Sequence, residues 1–211
     1  MKNILLLALL SFSLPILAKD INDSRMSSKY NDVLAKQHNH KHKSNEFKIN
    51  KVNRYDSLFT FWGNKYSSYT TPKFLKAICM AESGLNPKAV SVENALGLCQ
   101  LTLPTWLGIH KKIKTIPANG YFIPTHSIHS AAELIKDVSN RWSKATGENK
   151  LKLILASYNA GSGNIVKSND RCNHTDIYDK IKQCLPTITG KQNSKQTIEY
   201  VDRVLSIYAS L

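Results

Sequence analysis

From about Asp56 onward the chain sets apolar residues three and four apart, the spacing that stacks them on one face of a helix. Thr71-Pro72 opens one such stretch, a hydroxyl suited to capping followed by a proline whose missing N–H costs nothing at the first helical position. Leu75, Ile78, Cys79 and Glu82 follow at helical spacing, and Gly84 supplies a stop. A second helix carries Ala131, Leu134, Ile135, Val138 and Trp142 on one face. A third carries Leu151, Ile154, Leu155 and Tyr158 and ends at Gly161, and a fourth carries Ile198, Val201, Leu205 and Tyr208. No stretch alternates with period two for long enough to predict a sheet, and no internal repeat is visible. The pattern predicts a mainly α, single helical domain over residues 56–211.

The N-terminal quarter reads differently. Residues 1–18 follow the order of a secretory signal peptide: Lys2, an apolar run over residues 4–10, a second stretch broken by Pro15, and the small Ala18 for cleavage. A membrane anchor is the competing reading, but the run falls short of the ~20 apolar residues of a bilayer span and Pro15 interrupts it. No Cys follows Ala18, so nothing points to a lipoprotein. Residues 19–55 are rich in Asn, Ser, Lys and His and too poor in apolar side chains to offset the entropy of ordering, which predicts a basic polar linker without fixed structure. Its alternating His38, His40 and His42 could hold a metal weakly; a solvated basic segment is the simpler reading.

Composition narrows the choice of partner. The 211 residues leave room for one ordinary domain plus a tail, 42% are apolar, and a mean hydropathy of −0.31 excludes a polytopic membrane protein. Lys and Arg total 29 against 15 Asp and Glu, a net charge of +14 that calls for an anionic partner: nucleic acid, a membrane surface or an acidic polymer of the cell envelope. Export removes nucleic acid from that set. One unit of the charge sits on Lys2 and five on residues 19–55 (nine basic, four acidic), leaving +8 on residues 56–211 (19 basic, 11 acidic).

Export also bears on Cys79, Cys99, Cys172 and Cys184, which would meet an oxidising compartment where disulfides persist. Four cysteines allow three pairings. Loop proximity favours Cys172–Cys184, worth about 3 kcal/mol by loop entropy, which leaves Cys79 with Cys99. Zinc is the alternative use, but no CxxC or HxxxH supports it, and no metal or cofactor is expected.

Glu82 is the most informative residue, because it shares the apolar face of Leu75, Ile78 and Cys79. Burying a carboxylate costs several kcal/mol unless it is paired, protonated or open to a cleft. A salt bridge across the core, to Arg141 or Arg203, would explain it structurally. A general acid that an apolar pocket keeps protonated near neutral pH would explain it functionally.

The surrounding residues favour the second. The stretch "AICMAESGLNPKAVSVENALGLCQLTLPTW" resembles the catalytic segment of soluble lytic transglycosylases (the SLT domain family), enzymes of the lysozyme-like superfamily that cleave bacterial peptidoglycan. Glu82-Ser83 stands at the family's Glu-Ser pair, followed by Asn86-Pro87, and Gly97-Leu98-Cys99-Gln100 at its Gly-Leu-Met-Gln, with Pro104 and Trp106 behind. Further on, "LASYNAGSGNIVK" is similar to the family's Ala-Tyr-Asn-Ala-Gly helix end, and "QTIEYVDRVLSIY" to its closing helix. Four blocks in the right order span roughly residues 72–208.

The resemblance implies a lysozyme-like, goose-type helical fold and a single glutamate, Glu82, that acts alone. Glu82 would protonate the glycosidic oxygen between N-acetylmuramic acid and N-acetylglucosamine, then take the proton of the muramoyl C6 hydroxyl as a 1,6-anhydro ring closes. Ordinary glycosidases need two carboxylates instead; the candidates here, Glu93 in a polar loop and Asp137 on a polar helix face, lie in no recognisable catalytic context. Ser83 and Gln100 would bond the N-acetyl groups or orient the sugar, and Tyr158 would bond a carboxyl. Asn159 and Tyr200 complete the substrate-binding set, although as lone residues they would pass for a helix terminus and a core aromatic. The implied partner is the glycan strand of peptidoglycan, with a secretion or conjugation apparatus as a further partner for the tail, in the periplasm or cell envelope. A muramidase of the goose-lysozyme kind and a glycan-binding or scaffold protein without turnover are the alternatives.

Three positions depart from the pattern. Asn94 replaces a loop Gly, and Asn tolerates left-handed backbone. Gln196 replaces a Glu of the closing motif. Cys99 replaces the Met of Gly-Leu-Met-Gln while Cys79 stands one turn before Glu82. Both cysteines beside one site predict a disulfide tying the catalytic helix to the Gly-Leu-Cys-Gln segment.

Overall fold

The structure, a computed structural model, describes residues 53–66 and 68–211. The expected signal peptide (1–18) and nearly all of the expected linker (19–55), with its three histidines, lie outside the described residues.

The described chain is helical, in the order α1 (Asp56–Lys65), a 3-10 turn (Ser68–Thr70), α2 (Pro72–Ser83), β1 (Ala95–Leu96), β2 (Leu101–Thr102), α3 (Leu103–Lys112), a 3-10 turn (Gly120–Phe122), α4 (Pro124–Arg141), α5 (Gly147–Ala160), α6 (Ser162–Arg171), α7 (Tyr178–Cys184), α8 (Pro186–Thr189) and α9 (Lys191–Ser210). Among the described residues, no helix is long and apolar enough to cross a membrane. The predicted boundaries of α2 hold in detail. The Thr71 hydroxyl accepts the Phe74 N–H at 3.3 Å, Pro72 occupies the first turn, and Gly84 ends the helix in the left-handed region at φ 61°.

Helix α9 packs against both α2 and α5, and α1 backs α2 on the other side. Leu75, Ile78 and Cys79 of α2, Leu153 and Ile154 of α5, and Val201 and Val204 of α9 are buried where these helices meet. Being flanked on two sides changes the face of α9. Its buried residues are Ser194, Thr197, Tyr200, Val201 and Val204, while Ile198, Leu205 and Tyr208 of the predicted stripe are only half-buried. Two of the buried positions are polar, so a purely apolar count turns the helix too far. Thr197 stays satisfied by donating to Asn159 Oδ1 at 2.9 Å and to the Asn193 carbonyl at 3.0 Å.

A small antiparallel hairpin was not predicted. It pairs Ala95 with Thr102 and Leu96 with Leu101, strands too short for any period to register. Its turn is the Gly-Leu-Cys-Gln segment. Gly97 lies at φ 76°, and a Cβ there would sit 1.9 Å from the Tyr121 carbonyl oxygen, so only glycine fits. Asn94, in the place of the family's Gly, takes the left-handed conformation expected of it (φ 59°). Two disulfides pin the structure. Cys79–Cys99 joins α2 to the hairpin turn, and Cys172–Cys184 ties the end of α6 to the end of α7.

Candidate active site

The packing of α9 between α2 and α5 brings three helices and the hairpin turn to one cleft of about 510 Å³. Helix α2 supplies Glu82 in its last turn, α5 supplies Tyr158 and Asn159 near its C-terminal end, α9 supplies Tyr200 and Arg203, and the hairpin supplies Gln100.

Glu82 is partly buried and, among the described residues, makes no ion pair. The salt bridge weighed above is therefore absent: Arg141 is exposed at the end of α4, and Arg203 lies over the Tyr200 ring, 5.5 Å from its centroid. Burial pushes the Glu82 carboxyl up from 4.5 to about 7, against the opposing pull of the Tyr200 hydroxyl and then the Arg203 guanidinium. The Tyr200 hydroxyl faces the carboxyl and favours its charged form, yet completes no hydrogen bond of ordinary geometry with any group. The Tyr158 hydroxyl donates to the Cys99 carbonyl at 2.7 Å. Burial first, then the Glu82 charge, raises both phenols well above their ordinary range, so both stay protonated donors.

The other expected residues divide. Gln100 lines the cleft, but its Nε2 donates to the carbonyls of Ala89 at 3.1 Å and Gly97 at 2.8 Å, which leaves Oε1 as its outward acceptor. Asn159 lines the cleft with its Oδ1 held by Thr197, leaving its amide N–H groups to donate. Ser83 is not part of the lining. Its hydroxyl donates to the Leu98 carbonyl at 2.6 Å and accepts from the Asn86 N–H at 3.0 Å. One residue along a helix is a turn of about 100°, which swings Ser83 from the cleft toward the hairpin, where it fastens Glu82's helix to the Gly-Leu-Cys-Gln turn.

Two charged residues that the sequence raises only as a salt-bridge partner and as a second acid, Arg203 and Glu93, also line the cleft. Arg203 lies three residues past Tyr200, on the same side of α9, and that spacing was the available signal. Glu93 stands exposed on the cleft margin, carried there by the loop between α2 and the hairpin. Asp137, the other candidate second acid, pairs with Lys112 and does not line the cleft. No cluster of residues suited to a metal occurs among the described residues.

Comparison with known proteins places the chain in a family. Residues 57–181, more than half of the chain, match the sequence profile of the family described as "Transglycosylase SLT domain". The chain is 28% identical over 177 residues to the membrane-bound lytic murein transglycosylase F of Photobacterium profundum, covering 76% of this chain and 32% of that one. It is 28% identical over 154 residues to the protein of that name from Shewanella loihica, covering 65% and 30%. The chain thus spans about a third of the length of these curated relatives. Among solved structures, the 70 kDa soluble lytic transglycosylase SLT70 of Escherichia coli superposes with a TM-score of 0.59 at 21% identity, covering 75% of this chain and 25% of that one. The lytic transglycosylase Slt of Pseudomonas aeruginosa, solved as an inactive mutant, gives 0.57 at 18% identity, covering 88% and 29%. The helical fold is lysozyme-like, and the chain belongs to the transglycosylase SLT domain family.

Proposed function

We propose that the protein is an exported lytic transglycosylase that cleaves the β-1,4 bond between N-acetylmuramic acid and N-acetylglucosamine of peptidoglycan. The observation that carries this reading is Glu82: an unpaired carboxyl in a cleft wall, held protonated near neutral pH by burial. Its proton passes to the glycosidic oxygen as the C1–O4 bond breaks. The carboxylate left behind accepts the proton of the muramoyl C6 hydroxyl while O6 bonds to C1, so Glu82 ends protonated and no water is consumed. The Tyr200 phenol, kept protonated, can donate to an oxygen that gains negative charge, while the Tyr158 proton is committed to the Cys99 carbonyl. Gln100 and Asn159 offer an acceptor and a donor to the polar substituents of the sugars.

Residues 1–18 would direct export, and the basic segment 19–55 would serve as a tether to the wall or to a secretion or conjugation apparatus. Glu82→Gln keeps shape and removes the proton, so it should abolish clearing of purified sacculi with the fold intact. Undiminished clearing would refute the assignment, and a wild-type protein that never clears sacculi would mark a scaffold protein without turnover. A muramidase is the second reading, favoured by Glu93 on the margin of the same cleft, where a carboxylate could activate water. Mass spectrometry of digested sacculi separates the two: 1,6-anhydromuropeptides mark a transglycosylase, reducing ends a hydrolase.

A further inference from the structure

Between the helix that carries Glu82 and the turn that carries Gln100 lies a covalent bond that the chemistry does not use. Cys79 stands three residues before Glu82 on α2, and Cys99 adjoins Gln100 in the hairpin turn. Both are completely buried, and their Cα atoms are 4.3 Å apart. The same turn is held from three directions. The Cys99 N–H donates to Ser127 Oγ of α4 at 3.1 Å, the Cys99 carbonyl accepts the Tyr158 hydroxyl of α5, and the Leu98 carbonyl accepts the Ser83 hydroxyl of α2. The acceptor that orients the Tyr158 phenol and the helix that carries Glu82 are therefore joined through one short bridge. Among the described residues, the hydrogen bond that accompanies it between the turn and α2 is the one from Ser83.

We infer that Cys79 and Cys99 are positioning residues, whose bond sets the place of the Tyr158 phenol against the Glu82 carboxyl and closes the back of the cleft to water. This rests on the function proposed above. It makes activity dependent on oxidative folding, and it gives the two disulfides different duties. Cys172–Cys184 is partly exposed, joins α6 to α7 and lines no part of the cleft, so it stabilises without positioning.

Three proteins test this: Cys79→Ala/Cys99→Ala, Cys79→Val/Cys99→Val, which keeps most of the core volume without the bond, and Cys172→Ala/Cys184→Ala. Circular dichroism and melting curves establish folding, and release of soluble products from sacculi across pH gives kcat, KM and the pH profile. The Ala and Val pairs at 79 and 99 should lose kcat tenfold or more with KM little changed, and their activity should fall off at lower pH as water reaches Glu82. The 172/184 pair should melt earlier yet keep wild-type kcat and pH profile. Should the alanine pair fail to fold, the valine pair carries the test. Wild-type kcat and pH profile in a folded valine pair would overturn the inference and reduce the bond to a fastening. A ¹³C NMR titration of the Glu82 carboxyl, in wild type and the valine pair, reads the same displacement without turnover. Wild-type protein that releases no product would instead defeat the functional reading and leave that titration to decide the positioning.

Discussion

Replacing Glu82 by Gln should do more than stop catalysis; it should stabilise the protein, by an amount that grows from about pH 4.5 and is complete above about pH 7. Below about 4.5 the carboxyl is protonated in both the folded and the unfolded chain, and folding is indifferent to it. Between 4.5 and about 7 the unfolded chain has released the proton and the folded protein still holds it, so stability falls as pH rises. Above about 7 both forms are ionised and the penalty is constant. A tenfold change in proton affinity corresponds to about 1.4 kcal/mol, so the full displacement places about 3 kcal/mol on the ionised folded protein. Glu82 faces an open cleft, and solvent lowers that figure to about 2 kcal/mol. Gln is neutral at every pH and escapes it. For a domain of this size each kcal/mol moves the melting temperature roughly 2–4 °C, so E82Q should gain roughly 4–8 °C on wild type at pH 8 relative to their difference at pH 4. Calorimetry or circular dichroism melts at half-unit pH steps would trace the gain. A difference that stays flat across pH, or a wild type favoured above pH 7, would refute the reasoning: Glu82 would then be stabilised in its charged form, as in an ordinary ion pair.

Other expectations follow from the same geometry. The Arg203 cation pulls the Glu82 carboxyl down, so Arg203→Gln should carry the alkaline fall of activity to higher pH, and a profile displaced to lower pH would contradict that role. Gly97→Ala combines a left-handed backbone with a Cβ 1.9 Å from the Tyr121 oxygen; a loss of about 3 kcal/mol or more is expected, and a melt unchanged within about 1 kcal/mol would show that the turn can move aside. The net charge of +8 on residues 56–211 should draw the protein to the carboxylates of the wall, so sedimentation with sacculi should weaken steadily from low to high salt. Binding indifferent to ionic strength would remove electrostatics as the cause.

Much of the fold was legible because its signals are local. Thr71-Pro72 and Gly84 mark the ends of α2 by chemistry that acts within one turn, and the structure repeats those ends. The hairpin was illegible for a physical reason. Its strands are two residues each, and what holds them is tertiary: Ser83 and Ser127 reaching the turn from two helices, and the Tyr121 carbonyl packed against Gly97. Helix α9 was half legible. Val201 lies on both the predicted and the observed face, but Ser194 and Thr197 are buried through partners on other elements, and only the folded chain supplies those partners.

The candidate site divides along the same line. Glu82 announced itself because a carboxyl on an apolar stripe has few explanations, and an unpaired, proton-retaining acid in a cleft is one of them. Ser83 and Gln100 show how far a motif can be from a contact list. Each recurs beside the acid in the pattern that this chain resembles, yet Ser83 commits its hydroxyl, and Gln100 its amide nitrogen, to the hairpin turn. A residue can thus belong to a catalytic motif by building the wall in which the acid is set. The Cys79–Cys99 bond extends that wall by covalent means, where Cys99 stands in the place of a family Met. Seen this way, the motif encodes a frame: α2, the turn and α5 locked together, so that one carboxyl and two phenols meet at a cleft where water alone could not hold them in order.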